Sequence, residues 1–269
     1  MLVECIFYNG FCIRNIIDHI NDYNIDGMLK FTSEGVFYSQ ANPCNTIINF
    51  IELYPKKNIF DYFFKAKTPI YFPFKIHKMK EIVKFCGKNH TIKMSIYEEY
   101  CCMQITLIDN GNVEYQVDLS SLEKGEFTPK IIYIPKYNNR VKCTESASKL
   151  NVNCNLFVDN KCEAVVLSCY SDGIAMESQT EGTKNNYYCV IGKCTTTSVI
   201  DINGSNFSVK EYPILKIWDN AGNIKVLSKL SNITKNPIKF YFEKDKPIKC
   251  LIELSFGNYY IYLAGKMDE

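Results

Sequence analysis

The chain has 269 residues and a mass of 31.1 kDa, a length for one large domain or two of ordinary size. Hydrophobic residues make up 46% and charged residues 22%, with 31 Lys plus Arg against 29 Asp plus Glu for a formal net charge of +2. This excludes a disordered chain and a strongly basic tail but leaves room for a locally basic face, and 19 Tyr and 17 Phe beside a single Trp favour sheet over an all-helical bundle.

In chain order, Ile13, Ile16, Ile17 and Ile20 recur at helical spacing and predict an amphipathic helix over Phe11 to Tyr23, with Arg14, Asn15, Asp18 and Asn21 on its other face. Met28 to Ser33 and Val36 to Gln40 flank Glu34-Gly35 as an antiparallel hairpin. A second helix fits Lys75 to Cys86: Ile76, Met79, Ile82, Val83 and Cys86 form the buried stripe, Lys78, Lys80, Glu81 and Lys84 face elsewhere, and Gly87 suits a C-terminal cap. Further hairpins are Gln104 to Ile108 with Val113 to Leu119 about Asn110-Gly111, and Cys250 to Phe256 with Tyr259 to Leu263 about Gly257-Asn258.

The hairpin Leu29 to Tyr38, bent at Ser33-Glu34-Gly35-Val36, has a counterpart in Val165 to Glu177, bent at Ser171-Asp172-Gly173-Ile174, at an offset of 138 residues. Each is followed by a Lys-bearing helix and a strand: Lys78 to Gly87 before Thr91 to Met94, and Asn223 to Leu230 before Pro237 to Phe240. The chain therefore reads as two copies of one α+β domain. Asp118 to Pro129 is polar and broken enough to connect them, giving a domain at 1–117, a linker at 118–135 and a second domain at 136–269.

Thirteen cysteines, an odd number, include no Cys-x-x-Cys pair, and the adjacent Cys101 and Cys102 would point to opposite faces of a strand. Together with a start, Met-Leu-Val-Glu-Cys-Ile, that lacks the parts of a signal peptide, this predicts reduced structural thiols and chance Asn-x-Ser/Thr triplets at Asn89, Asn203, Asn206 and Asn232. No apolar run approaches ~18 residues, so no membrane partner is expected. His19, His77 and His90 lie in neither a nucleophile elbow nor metal-ligand spacing, and no Gly-rich phosphate loop occurs. No enzyme activity, cofactor or metal is expected, although residue types alone leave a cysteine hydrolase open.

Four stretches, Phe31 to Leu53, Met79 to Gly87, Ala164 to Gly173 (Ala-Val-Val-Leu-Ser-Cys-Tyr-Ser-Asp-Gly) and Tyr262 to Glu269 (Tyr-Leu-Ala-Gly-Lys-Met-Asp-Glu), resemble in order the proliferating cell nuclear antigen family of DNA sliding clamps. The resemblance implies two tandem clamp domains with antiparallel sheets outside and short helices inside, closing as a homotrimeric ring. Such a ring encircles duplex DNA without reading sequence, tethers DNA polymerase and other proteins carrying a clamp-binding motif, and is opened by a clamp loader where one is needed. It implies DNA-facing roles for Arg14, Lys78, Lys80, Lys84, Lys88, Lys149, Lys225 and Lys229, because flexible, hydrated lysines attract phosphate without specific contacts. The third helix of such a domain would fall near Ala147 to Phe157, where Ser-Lys-Leu-Asn-Val-Asn-Cys-Asn-Leu is poor in basic residues and helix formers.

The resemblance also implies a pocket for a partner's helical plug at Ala41, Asn45, Thr46, Ile48, Leu122, Phe127, Pro129, Pro247, Tyr262, Ala264, Gly265 and Lys266. Ala41 is smaller than the family's usual residue and Gly265 replaces a usual proline. Subunits would join by strand pairing, from Asn112 to Leu119 and Asn185 to Cys194, with Cys86, Tyr115, Tyr188 and Val190 at the interface. The alternatives are an open monomeric or dimeric clamp-fold processivity or transcription factor and one subunit of a heterotrimeric damage clamp, since a nearly neutral, Lys-rich chain suits direct DNA binding. The expected location is the nucleus, or a viral replication site; richness in Asn, Ile, Lys and Tyr hints at an AT-rich genome.

Overall fold

The computed structural model describes residues 1–98, 102–123, 132, 134–138, 140–179, 187–192 and 213–267. Its chain divides into two units: Met1–Cys44, Asn49–Ile132 and Leu254–Tyr259 form the first, and Asn45–Ile48, Tyr133–Glu253 and Tyr260–Glu269 the second.

In the first unit, Val3–Phe7 (β1) enters Gly10–Asn21 (α1), followed by Asp26–Phe31 (β2), Val36–Ala41 (β3), Ile47–Leu53 (β4), Phe60–Phe64 (β5) and Ile70–Lys75 (β6). Ile76–Val83 (α2), His90–Ile96 (β7), Cys102–Asp109 (β8) and Asn112–Ser120 (β9) complete it. The strands order as β5-β1-β7-β8-β9 and as β4-β3-β2-β6. The isoleucine stripe of α1 is buried as its spacing requires, and Asn9 caps the helix by accepting the Cys12 amide at 3.1 Å. Helix α2 buries Ile76, Met79, Ile82 and Val83 and stops at Val83, so the predicted span to Cys86 is three residues too long. Gly10 is obligatory: a Cβ there would stand 2.5 Å from Cys86 Sγ and 2.8 Å from the His90 carbonyl. The β8–β9 bend uses Asn110 and Gly111, at φ 49° and 84°, as a type I′ hairpin demands. Phe7 stacks on Phe60 at 4.2 Å with Phe256 at 5.8 Å. Within this apolar interior the Tyr259 hydroxyl donates to Asn49 Oδ1 at 2.7 Å and also lies 2.8 Å from His19 Nδ1.

The second unit runs Cys143–Glu145 (β10), Ala147–Asp159 (α3), Ala164–Cys169 (β11), Gly173–Gln179 (β12), Tyr188–Gly192 (β13), Leu215–Asn220 (β14), Ala221–Ser228 (α4) and a 3-10 turn at Lys229–Asn232. Ile238–Tyr241 (β15), Ile248–Leu254 (β16), Gly257–Leu263 (β17) and Lys266–Met267 (β18) close the chain. Its strand orders, β10-β15-β16-β17 and β13-β12-β11-β14, reproduce β1-β7-β8-β9 and β4-β3-β2-β6. The pairing Phe31↔Val36 at the first hairpin recurs as Cys169↔Ile174 at the second, with the offset seen in the sequence. The α+β duplication is thus present in both sequence and topology.

The helix expected near Ala147 to Phe157 is present and full despite its asparagines, because Ala147, Leu150, Cys154 and Phe157 make a buried stripe and Ser146 Oγ accepts the Lys149 amide at 3.2 Å. One hairpin expectation is corrected. The last hairpin bends at Ser255-Phe256, and Gly257-Asn258 already belong to β17. Cys5, Cys86, Cys143, Cys154, Cys162, Cys169 and Cys250 are buried. Among the described residues no helix is long and apolar enough to cross a membrane, and no cluster of His, Cys, Asp and Glu could hold a metal.

Candidate nucleic-acid and partner interfaces

In the first unit the cations on α1 and α2 fall into two groups. Lys78, Lys84 and Lys88 are exposed. Arg14 and Lys80 instead share one carboxylate, Asp18, at 3.6 and 3.8 Å, and Arg14 also donates to the Cys86 carbonyl at 3.1 Å. Arg14 thereby ties α1 to the end of α2, and its charge is partly answered by Asp18.

The second unit is poorer in cations. Lys149 is exposed but paired at 2.9 Å with Glu145, whose buried carboxylate also accepts the Ser146 and Gly192 amides. Lys225 is exposed and Lys229 half-buried. The polar surface of α3 consists of amides: Asn151 donates to the Ser228 carbonyl at 2.6 Å, Asn155 to Asn151 at 3.3 Å and Asn153 to the Val190 carbonyl at 3.2 Å.

Among the described residues, each unit ends a sheet in a strand paired on one side only, β9 in the first and β13 in the second. Beside β9 lies a groove of about 690 Å³ whose lining includes Phe85, Tyr115, Val117 and Leu122. Phe85 and Tyr115 meet at 5.8 Å, the former 59% exposed and crossed by Lys84 Nζ at 5.0 Å from its centroid. Along β13, Tyr188 and Val190 are half-buried, and Val152 of α3 is 68% exposed. Sequence reasoning passed over Phe85 and Val152, although an aromatic ending a basic helix and a valine between asparagines are out of place on solvated faces. Cys86 is the reverse case. Its thiol is fully buried under Gly10, and burial pushes it up to about 11.

Of the expected pocket residues in the second unit, Pro247 is half-buried and Tyr262 only 3% exposed. Both are engaged by Tyr137, which donates to the Pro247 carbonyl at 2.7 Å and packs its ring 6.2 Å from that of Tyr262. Burial, then the neighbouring Tyr262, holds the Tyr137 phenol well above its ordinary value. Tyr137 is the residue of this site that sequence reasoning missed; the repeat spacing offered no signal for it. Asn45 is exposed, Ile48 and Gly265 are half-buried, and Thr46 is fixed by the Ala264 amide at 2.8 Å and the Asn223 amide at 3.1 Å. In the first unit Ala41 is buried and the Leu122 amide donates to the Pro73 carbonyl at 2.9 Å, anchoring the start of the linker. Phe127, Pro129 and the Lys266 side chain lie outside the described residues.

No protein-family model and no curated protein matches the chain. Solved structures do. A PCNA2–PCNA3 complex of Sulfolobus tokodaii aligns with a TM-score of 0.72 at 13% identity over 98% of this chain and 99% of that one. Proliferating cellular nuclear antigen of Entamoeba histolytica aligns at 0.75 and 10% identity over 98% of both chains, and PCNA of Thermococcus kodakaraensis at 0.74 and 13% over 98% and 100%. The chain has the fold of these proteins from end to end.

Proposed function

We propose that the protein is a DNA sliding clamp, a polymerase processivity factor that closes as a trimer around duplex DNA and carries replication or repair proteins. The observation that supports this reading most is the duplicated clamp fold in which, among the described residues, β9 of the first copy and β13 of the second each end a sheet with one side unpaired. Unpaired edges are aggregation hazards, and head-to-tail pairing of β9 with β13 of the next subunit would remove both. Phe85 and Tyr115 beside one edge, and Val152 and Val190 beside the other, supply apolar contact for that junction.

In the assembled ring the exposed Lys78, Lys84 and Lys88, with Lys149 and Lys225, supply diffuse attraction to phosphate, and the region 118–135 connects the two copies. The partner pocket centres on Pro247, Tyr262 and Tyr137. No reaction is assigned to the protein.

The test is absolute mass by light scattering together with retention on DNA. A stable mass near three times 31.1 kDa, with retention on closed circular DNA that linearisation abolishes, supports the clamp. A monomer or dimer that binds short linear duplex at low salt with a slope of about −0.9 per phosphate neutralised overturns the ring in favour of an open processivity factor. A stable mass formed only with a second, different clamp-fold chain would make it one member of a mixed ring.

A further inference from the structure

The sheet that ends in β9 has β5 at its opposite end, paired with β1 on one side only among the described residues. Lys65 donates its amide to the Leu2 carbonyl at 2.9 Å and the Ile59 carbonyl accepts the Tyr8 amide at 3.1 Å, so the odd-numbered residues of this stretch turn their backbone groups toward β1. The even-numbered ones turn theirs outward. Phe60 is already answered on that side, because Lys56 folds back and exchanges two backbone hydrogen bonds with it, each at 2.9 Å. The chain then leaves the edge: Pro55 has no N–H to offer, and the Tyr54 amide goes to the Phe256 carbonyl at 2.8 Å. The N–H and C=O groups of Tyr62 and Phe64 are left along the open side. Lys56 and Lys57 stand at one end of it and Lys65 and Lys67 at the other, all four exposed and without an ion pair among the described residues. The carboxylates that β5 and β1 carry are engaged, Asp61 by the Tyr8 hydroxyl at 2.6 Å and Glu4 by Lys93 at 2.5 Å. Phe63 is 45% exposed, and Tyr62 and Phe64 are half-buried.

We propose that the β5 edge is a docking site for an extended segment of a partner protein, apolar at its centre and acidic at both ends, which joins the sheet as a further strand. Tyr62 and Phe64 supply the backbone ladder, their rings and that of Phe63 supply apolar cover, and the two lysine pairs select Asp or Glu at the flanks. This goes beyond ring closure, which engages β9 and β13 and leaves β5 open. Charge decides the occupant. Two β5 strands set antiparallel would bring Lys65 and Lys67 of one copy toward Lys56 and Lys57 of the other, so the lysines oppose pairing with a second copy. An acidic segment turns the same four charges into attraction. The backbone groups decide between a peptide and a nucleic acid, because only a second polypeptide strand offers alternating N–H and C=O groups to match those of Tyr62 and Phe64.

The test uses the full chain and synthetic peptides that share one Val-Thr-Val-Thr centre and differ in flanks of Asp/Glu, Ser/Gly or Lys/Arg. The acidic peptide should bind at least about tenfold tighter than the basic one at about 50 mM salt, and the gap should narrow to about twofold at about 0.5 M salt. Two further acidic peptides carry N-methyl groups on alternate central residues, one set in each. One of them should lose at least about tenfold in affinity and the other little, because only one side of an added strand pairs with the edge. Lys56→Gln with Lys57→Gln, and Lys65→Gln with Lys67→Gln, should each weaken the acidic peptide about threefold, and the four together should erase the preference for acidic flanks. Equal binding of acidic and basic peptides, or equal effects of the two methylation patterns, would overturn the proposal, as would no binding at all. Displacement of the acidic peptide by an oligo-dT strand would overturn it in favour of nucleic acid, and cross-linking of β5 to β5 between copies would overturn it in favour of self-association. The clamp reading is judged separately, by mass and by retention on circular DNA.

Discussion

The two helix pairs hold equivalent places in a duplicated fold, yet their polar faces are built differently. On α1, α2 and the residue after α2 the surface is ionic, carrying Arg14, Lys78, Lys80, Lys84, Asp18 and Glu81, with Asp18 paired to Arg14 and Lys80 at 3.6 and 3.8 Å. On α3 and α4 it is amidic, and the amides are spent on backbone carbonyls of the same unit. Charges left in water act at a distance and cost little to rearrange. Amides that satisfy part-buried carbonyls act only locally and are costly to remove. The first copy thus presents the larger share of solvent-facing cations on its helices, whereas the second ties more of the corresponding polar surface to its own backbone.

The sharpest way to break this contrast is charge removal. Lys78→Gln, Lys84→Gln and Lys88→Gln together should lower duplex affinity at least about tenfold and flatten the salt slope by up to about 2.7, at about 0.9 for each phosphate no longer neutralised. The matched triple at Lys149, Lys225 and Lys229 should have less than half that effect, since Lys149 is held by Glu145; equal effects, read from salt titrations of binding, would erase the asymmetry.

Stability should follow the opposite pattern. Asn151→Ala, which strips the Ser228 carbonyl of its donor, should cost about 1–2 kcal/mol in denaturant unfolding. Asp18→Asn should change stability by under about 1 kcal/mol, because its pairs are a third exposed. It should also strengthen DNA binding about two- to threefold by releasing Arg14 and Lys80, the scale of a surface charge pair. A loss of binding in that variant would mean that Asp18 positions the cations instead of masking them.

The smallest effect concerns pH in the second unit. The folded-state pKa of Glu243 is depressed by Lys246 and the Asn138 amide, so its contribution is present above the unfolded carboxylate range and is lost as pH falls through the folded value. Glu243→Gln should therefore flatten the acid limb of a stability profile slightly and lower stability slightly at neutral pH. An unchanged acid limb would show that the pair with Lys246 is thermodynamically silent.

Much of the scaffold was legible in the linear chain. The isoleucine stripe predicted α1, the Asn110-Gly111 bend predicted the β8–β9 hairpin, and the recurring Ser-x-Gly bend predicted the duplication before any topology was drawn. These signals are local, and period and turn chemistry act within a few residues. The limits are equally instructive. The asparagines of helix α3 speak against it by propensity, a weak prior overruled by the burial of Leu150, Cys154 and Phe157 and by the Ser146 cap. That Cys86 is buried follows from its place in the helical stripe, but the close approach of Gly10 to it does not.

By itself, then, the sequence determined the α+β class, the two-copy organisation, the helices' apolar faces and the presence of lysines on α2. Only the tertiary structure decided which charges are already spent, as Asp18 spends Arg14 and Lys80 and Glu145 spends Lys149. It also decided the contacts of His19 with Tyr259, 240 positions away, and of Tyr137 with Pro247, 110 away. Periodicity reports which side of a segment is buried, but a hydrogen bond or ion pair depends on where a second segment arrives, and that is set by the packing of the whole unit.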